Sequence, residues 1–590
     1  MMLVGAAKSI LRSMMLAAAV MLFAGSLGGC GGDENDPMTH VDRLQDPMKR
    51  TAAVRRLIQF YEDAMTKDNK NREGENVKPL LDKIVEPLAK VAQSGELDER
   101  TQGDLLSFLS DTRDVRSVPA LSKAIEEYRM DDKRAEKYDA DMNDVVRNVG
   151  IMKAKEAGPA VLKLYQNMHA SWPKAQNKLF YRTVHDAMIN ILDPGWEDAL
   201  ITMLDRPIKS LQQKEQRHVI DEVFWQATAA EVLGMLKSTK AVPALIKVVL
   251  SPFKVNAHTT AISALIKIGK PAIDAGVKLL NGSDAGLMKL AEEEYIRAAK
   301  DRDGKVEKKT EDEAKSAYVQ SATLIVANIG RKECVDPLLA AIEKGDPATK
   351  AIIAGELYKL PADPKITEAF KKVWEETNLE LSIPQGNAKE YLTESVEKYY
   401  DIELARWLMG KAGELKGEDA PYAQQSALGV ALKLAGPADW PNVEKVSNID
   451  ITFPEKTKVG KAFEKELELV KKALDKCAEK SDCWIGELTA SENQKESNQI
   501  VAIKGAYMAA ATGGDGARAK LADQIANIEN DAARFAAAAA VDRLAPKGDA
   551  AIADKLQAMI DKASEKKDEA KIKAYEPLKT VIYRLRARAE

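Results

Sequence analysis

The sequence predicts an all-α fold built as a solenoid of stacked helix pairs, and three observations carry that prediction. First, Trp225, Ala229, Val232 and Leu236 fall at i, i+4, i+7 and i+11, one stripe on a 3.6-residue period. Second, a Pro-Ala-aliphatic mark recurs at Pro119-Ala120-Leu121, Pro159-Ala160-Val161, Pro243-Ala244-Leu245 and Pro271-Ala272-Ile273, with Pro337-Leu338-Leu339 as a variant. These prolines lie 40, 84, 28 and 66 residues apart. That is one or two units of roughly 28–42 residues, within the range of helical repeats. Third, aromatics make up only 5% of the chain, and the short alternating runs of a β-sandwich are missing. Single helix pairs bury little apolar surface, so such units must stack on their neighbours.

The N-terminus stands apart from the repeats. Lys8 and Arg12 precede an uninterrupted apolar run from Met14 to Ala24. That run is too short to cross a ~30 Å hydrocarbon core as a helix, so it reads as a targeting segment. Leu27-Gly28-Gly29-Cys30 then resembles the lipobox of bacterial lipoproteins. The resemblance implies a diacylglycerol on the Cys30 thiol, cleavage just before it, and residues 1–29 as a signal peptide. The alternative is an ordinary secretory signal cut near Ala24 to Ser26, with Cys30 left as a free thiol. Gly31 stands where many inner-membrane lipoproteins of Gram-negative bacteria carry Asp, which leans towards the outer membrane. The body would then face the periplasm or the cell surface. Residues 30–41 read as the lipidated Cys and a polar, turn-rich tether. Loss of Lys8 and Arg12 takes the net charge from −4 to about −6, and no basic stretch interleaved with aromatics points to nucleic acid.

Met48 to Met65 and Leu80 to Val91 read as amphipathic helices. Leu105 to Ile125 reads as a repeat with a polar turn at Ser110 to Asp114 and a second helix entered at Pro119. Val223 to Asn281 holds two tandem units. Gly269 suits the left-handed position past a helix end, and Pro271 suits the first turn of the next helix, where a missing N–H costs nothing. The phrases Ala229-Ala230-Glu231-Val232-Leu233-Gly234, Ala264-Leu265-Ile266-Lys267-Ile268-Gly269 and Val326-Ala327-Asn328-Ile329-Gly330 resemble the HEAT repeat. They are nearest to the short bacterial HEAT-like repeats associated with phycobilin lyases. That resemblance implies a right-handed α-solenoid over residues 42–360 and carries no catalytic residue with it. Ala299 to Lys315 is a mixed-charge stretch, read as an exposed excursion or helix end. Residues 361–590 read as divergent helical repeats. Tyr399 to Trp407 is expected on one helix, Thr512 to Gly516 in a turn, and Tyr575 to Ala589 in a helix that caps the array with a polar outer face.

Four cysteines are present. Cys477 and Cys483 flank a short turn that can bring their Cα atoms within the ~4.4–6.8 Å a disulfide needs, and an exported compartment permits the bond. The alternative is two buried thiols. Without a nearby His the pair is poor for zinc, and Cys334 reads as a small core residue. The histidines His40, His169, His185, His218 and His258 are dispersed, with no two-ligand spacing. No nucleophile elbow or phosphate loop occurs, because the Gly513-Gly514 stretch lacks the Lys-Ser/Thr of a P-loop. Trp172, Trp196, Trp225, Trp374, Trp407, Trp440 and Trp484 read mostly as packing anchors.

No catalytic residue, metal site or cofactor is therefore expected. The leading expectation is a non-enzymatic scaffold that binds other periplasmic or outer-membrane proteins and is attached to the membrane through its N-terminal lipid. Two alternatives stay open. One is an enzyme or cofactor-attachment factor like the lyases that share these repeats. The other is a carrier of an apolar ligand, which would need a continuous apolar groove.

Overall fold

A computed structural model describes residues 33–129, 142–169, 178–212, 216–315, 317–451, 456–566 and 568–589. Over these residues the chain is all-α, a succession of helix pairs stacked as a solenoid. Two short antiparallel pairings, Ser382–Ile383 with Gly386–Asn387 and Asp450–Ile451 with Thr457–Lys458, are the strands among the described residues. No described helix is long and apolar enough to cross a membrane. The chain divides into two compact units, one up to Tyr128 with Arg134–Ala160 and the other comprising Arg129–Lys133 with Val161–Glu590. The 360/361 division between regular and divergent repeats lies inside the second unit.

A single device makes five of the turns between paired helices among the described residues. The first helix ends on a residue of positive φ, and a one-turn 3-10 helix follows. In four of the five the second helix has Pro within its first three residues; in the fifth, Pro194 lies in the 3-10 turn itself. Arg113, Lys153, Leu192, Lys237 and Gly330 hold the positive φ, from 49° to 65°. The 3-10 turns are Val115–Ser117, Lys155–Ala157, Pro194–Trp196, Thr239–Ala241 and Lys332–Cys334. Asp114, Asp193 and Ser238 cap three of them through the side chain, each satisfying a backbone N–H that a helix start leaves unpaired. Pro119 and Pro243 then sit in the first turn of Val118–Glu127 and Val242–Leu250. Gly269 ends Val255–Ile268 with φ 77°, and Pro271 opens Lys270–Leu280.

The core runs along the faces the periodicity marks. Trp225, Ala229, Val232, Leu245, Val248 and Leu265 are 0–2% exposed. Small residues allow the closest helix approaches. A Cβ at Gly234 would lie 2.6 Å from the Ala264 Cα, so that helix crossing admits only glycine without a shift.

Several elements differ from the sequence-based expectation. Residues 37–41, read as the end of the tether, belong to helix Pro37–Arg43, because Asp36 caps it and His40 is buried. The mixed-charge stretch from Ala299 takes the helix-end reading and not the excursion, as the end of Ala285–Asp303 and then Lys308–Ala314, with Tyr295 donating to Glu313 at 3.0 Å. Tyr399 and Tyr400 are not on the helix of Trp407. Tyr400 takes φ 53°, and Asp401 caps the new helix Ile402–Ala412. The Gly-rich stretch at 512–516 makes the expected turn, since Gly514 at φ 50° and ψ −136° breaks Gln499–Gln524 into two helices.

The largest difference concerns the C-terminal helix Leu578–Ala589, which does not cap the array. In the second unit Val255–Ile268 packs on Ala317–Ile329, which packs on Pro347–Ala354 and so on through Ala388–Ser395, Ala420–Leu434, Gln499–Gln524 and Asp531–Arg543. Leu578–Ala589 comes next and packs back on Val255–Ile268, so the stack closes into a circuit. Arg331 donates to the Ala587 carbonyl and Arg182 pairs with Glu569 at 2.6 Å, both across this closure.

Candidate binding groove

Helix Ala388–Ser395 starts at Asn387, whose side chain accepts from the Glu390 N–H at 3.1 Å. The helix therefore presents Glu390 and Glu394 one turn apart on one face. The 3-10 turn Val396–Tyr399 carries that face on with Glu397 and Lys398. Ala420–Leu434 lies alongside and supplies Tyr422, Ser426 and Lys433, and Phe463 comes from the turn Val459–Phe463. Together these residues line an open groove of about 590 Å³.

The charge in this groove is uneven. At its inner end Lys433 pairs with Glu397, and behind them Tyr400 and Tyr507 stack with ring centroids 4.5 Å apart. The Tyr400 hydroxyl donates to the Ala536 carbonyl at 2.8 Å, which fixes that wall. Towards the rim, Ser426 donates to Glu394 at 3.3 Å, and Glu390 has no cation partner among the described residues. Burial, and then the neighbouring Glu394 and Asp419, push the Glu390 carboxyl above the usual carboxylate range. Tyr422 is 55% exposed beside them.

The first unit carries a second groove. A cleft of about 500 Å³ lined by Arg55, Gln59, Glu62, Asp104 and Phe108 meets one of about 180 Å³ lined by Arg113, Asp144, Arg147 and Asn148. The two share Ser107 and Asp111.

The buried cations of the second unit are accounted for by helix ends. A helix C-terminus leaves carbonyls unpaired and carries partial negative charge. Lys254 donates to the Leu204 carbonyl at 2.5 Å, Lys389 to Thr377 at 3.0 Å, and Lys504 to Ala435 at 2.8 Å. Arg543 donates to the Tyr358 and Tyr399 carbonyls at 3.0 and 3.3 Å. Burial pulls Lys254 and Lys389 down to about 8 and Lys504 to about 7. Each tethers one repeat to the end of a helix in another.

One further cluster of perturbed groups lies where the circuit closes. His185 sits 3.0 Å from both Asp186 and Glu231. Burial disfavours its charge, but the two carboxylates outweigh burial and raise it to about 9. Lys267, drawn down by burial to about 8, lies 3.7 Å from the centroid of Tyr583. Glu231, Lys267, Lys579 and Tyr583 line a gap of about 30 Å³, room for a water, and His185 is not among its lining residues.

Residues 225–251 match the family model of the PBS lyase HEAT-like repeat. That stretch is similar to one HEAT-like repeat. The matched residues cover Trp225 to the end of Val242–Leu250, one turn of the device described above. No curated protein matches this sequence. Among solved structures, Pds5 in its complex with Scc1 is similar at 10% identity, over 90% of this chain and 88% of that one, with a TM-score of 0.28. Importin beta in an ammonium sulfate condition is similar at 13% identity, over 93% and 74%, with a TM-score of 0.29. Kap121p is similar at 13% identity, over 94% and 71%, with a TM-score of 0.21.

The helical framework brings the sequence-marked residues to separate places. Cys30, with the signal peptide and the start of the tether, lies outside the described residues, as does Trp172. Cys477 and Cys483 are joined by a disulfide with Cα atoms 5.3 Å apart, between Glu464–Cys477 and Ser481–Thr489. Glu487 lies beside them, but its carboxylate is taken by Lys476 and Asn493. Cys334 is buried, and burial pushes its thiol up to about 12. His40 contacts the Glu34 carbonyl at 3.0 Å, His258 contacts the Ser251 carbonyl at 2.9 Å, and His169 lies 3.2 Å from Asp221. His218 lines none of the grooves described above. Trp196, Trp225, Trp374, Trp440 and Trp484 are buried anchors. Sequence reasoning missed Glu390, Glu394, Tyr422 and Phe463. The four-residue spacing of the two glutamates is visible, but their aromatic companions come from elements far along the chain.

Proposed function

We propose that this protein is a non-enzymatic scaffold, held by lipid on Cys30 at the outer membrane, that binds another envelope protein. The observation that carries this reading is the groove between Ala388–Ser395 and Ala420–Leu434. It is open, about 590 Å³ in volume, and offers an exposed aromatic ring beside an unpaired carboxylate. Such a surface suits a polypeptide segment, since aromatic anchors with polar neighbours dominate protein contacts. Catalysis asks instead for a nucleophile, acid or base converging on a space that admits substrate. Glu231, Lys267 and Tyr583 are perturbed groups, but the gap they line is only about 30 Å³. A lipid anchor would concentrate the scaffold where its partners reside.

The test is crosslinking in cells, followed by purification of wild type and of Glu390→Lys/Glu394→Lys. The pair is expected to lose one crosslinked partner, whereas Glu62→Lys/Asp104→Lys in the first unit retains it. Equal retention by both variants removes the groove from the reading. A single substitution that abolishes a measured turnover while partners stay bound replaces the scaffold by an enzyme.

A further inference from the structure

The closing seam of the circuit is built differently from the helix contacts around it. Leu578–Ala589 places Leu578, Val581, Ile582 and Leu585 on one buried stripe. Ala550–Glu565, the helix with which it shares its repeat, offers Ile552, Leu556 and Ile560 as buried apolar residues. Towards Val255–Ile268 the C-terminal helix offers Lys579, Thr580 and Tyr583, and receives Thr260, Ser263 and Lys267. A gap of about 30 Å³ remains between them. By contrast, in Gln499–Gln524 the residues from Lys504 to Ala510 are all buried, most of them small or apolar. Polar side chains facing a water-sized gap regain their hydration when they separate, whereas an apolar seam loses burial in proportion to its area. The seam also gathers like charges, Lys267 and Lys579, whose mutual repulsion Glu231 offsets.

We propose that the circuit opens at this seam, with Leu578–Ala589 acting as a clasp that leaves Val255–Ile268 while keeping its apolar contact with Ala550–Glu565. Opening turns the closed stack into an open array and uncovers the Thr260, Ser263 and Lys267 face. Tyr583 holds the clasp through its ring against the Lys267 ammonium, beside the Arg331 bond to the Ala587 carbonyl and the Arg182–Glu569 pair. The proposal rests on the fold and stands or falls apart from the partner-binding reading.

Thiol labelling of the full chain tests it. Ser263 is 6% exposed beneath the seam, so Ser263→Cys reports opening, and the buried Cys334 in the same molecule reports global unfolding. The introduced seam thiol is expected to react with a maleimide faster than Cys334. Adding Tyr583→Ala is expected to speed the seam thiol by about tenfold with Cys334 unchanged. Lys267→Met, which takes the ammonium away from the Tyr583 ring, is expected to speed the seam thiol in the same way. Hydrogen exchange of Ala550–Glu565 is expected to stay slow throughout. The clasp is overturned if the seam thiol reacts no faster than Cys334, or if Tyr583→Ala speeds both thiols together.

Discussion

Lys504 is fully buried, and its ammonium reaches the carbonyls that end Ala420–Leu434. Burial holds it near 7, against an ordinary lysine value of 10.5. The unfolded chain therefore binds more protons than the native state between about pH 7 and pH 10. Stability contributed by this site rises with pH across that window and is lower below it. Lys504→Met is expected to flatten that dependence. The wild-type gain from pH 7 to pH 10, measured by urea unfolding against the variant, is expected at about 1–3 kcal/mol. An equal slope in both proteins would show that Lys504 keeps its proton as readily in the folded state as in the unfolded chain. At Leu265, 0% exposed between stacked helices, removal of the side chain leaves a cavity. Leu265→Ala is expected to cost about 2–5 kcal/mol, and an unchanged melting curve would mean the helix faces elsewhere.

Elements of this chain turn on the repeated left-handed residue between paired helices. At Lys153 the side chain is exposed and φ is 52°, so the backbone carries a penalty that glycine escapes. Lys153→Gly is expected to raise stability by up to about 1 kcal/mol, whereas glycine in a helix interior costs about that much. A measured loss would show that unfolded-chain entropy outweighs the strain. The disulfide Cys477–Cys483 is also an element-scale feature, since it closes a loop of few residues. Reduction, or Cys477→Ser/Cys483→Ser, is expected to cost roughly 2 kcal/mol. The loss should appear as faster hydrogen exchange in Glu464–Cys477 and Ser481–Thr489 and not as collapse of the whole stack. Mass spectrometry after alkylation without reductant reads the bond itself.

At the scale of the molecule, the proposed anchor is tested by labelling with a fatty-acid analogue. Wild type is expected to take the label and Cys30→Ser to lose it and leave the membrane fraction. Equal labelling of the two proteins would remove lipid from the reading. The helical body was largely legible from periodicity, because helix pairs write their packing in residues three and four apart. The binding groove was not. Glu390 and Glu394 stand at a helical spacing, but among 91 acidic residues that spacing singles out nothing. What makes them a site is Tyr422 from one helix and Phe463 from a turn further on, and their neighbours are set by how repeats stack.

By itself the sequence determined that the chain is all-α, where most helix pairs turn, and which faces go inside. These are local matters, governed by side-chain period, by capping groups and by Pro and Gly dihedrals. Only the tertiary structure decided that Leu578–Ala589 returns to Val255–Ile268, that buried lysines end helices of other repeats, and that Tyr400 starts a new turn. Closure depends on the small rotation each repeat adds to the last. That rotation sums over many contacts, none of which leaves a mark at any one residue.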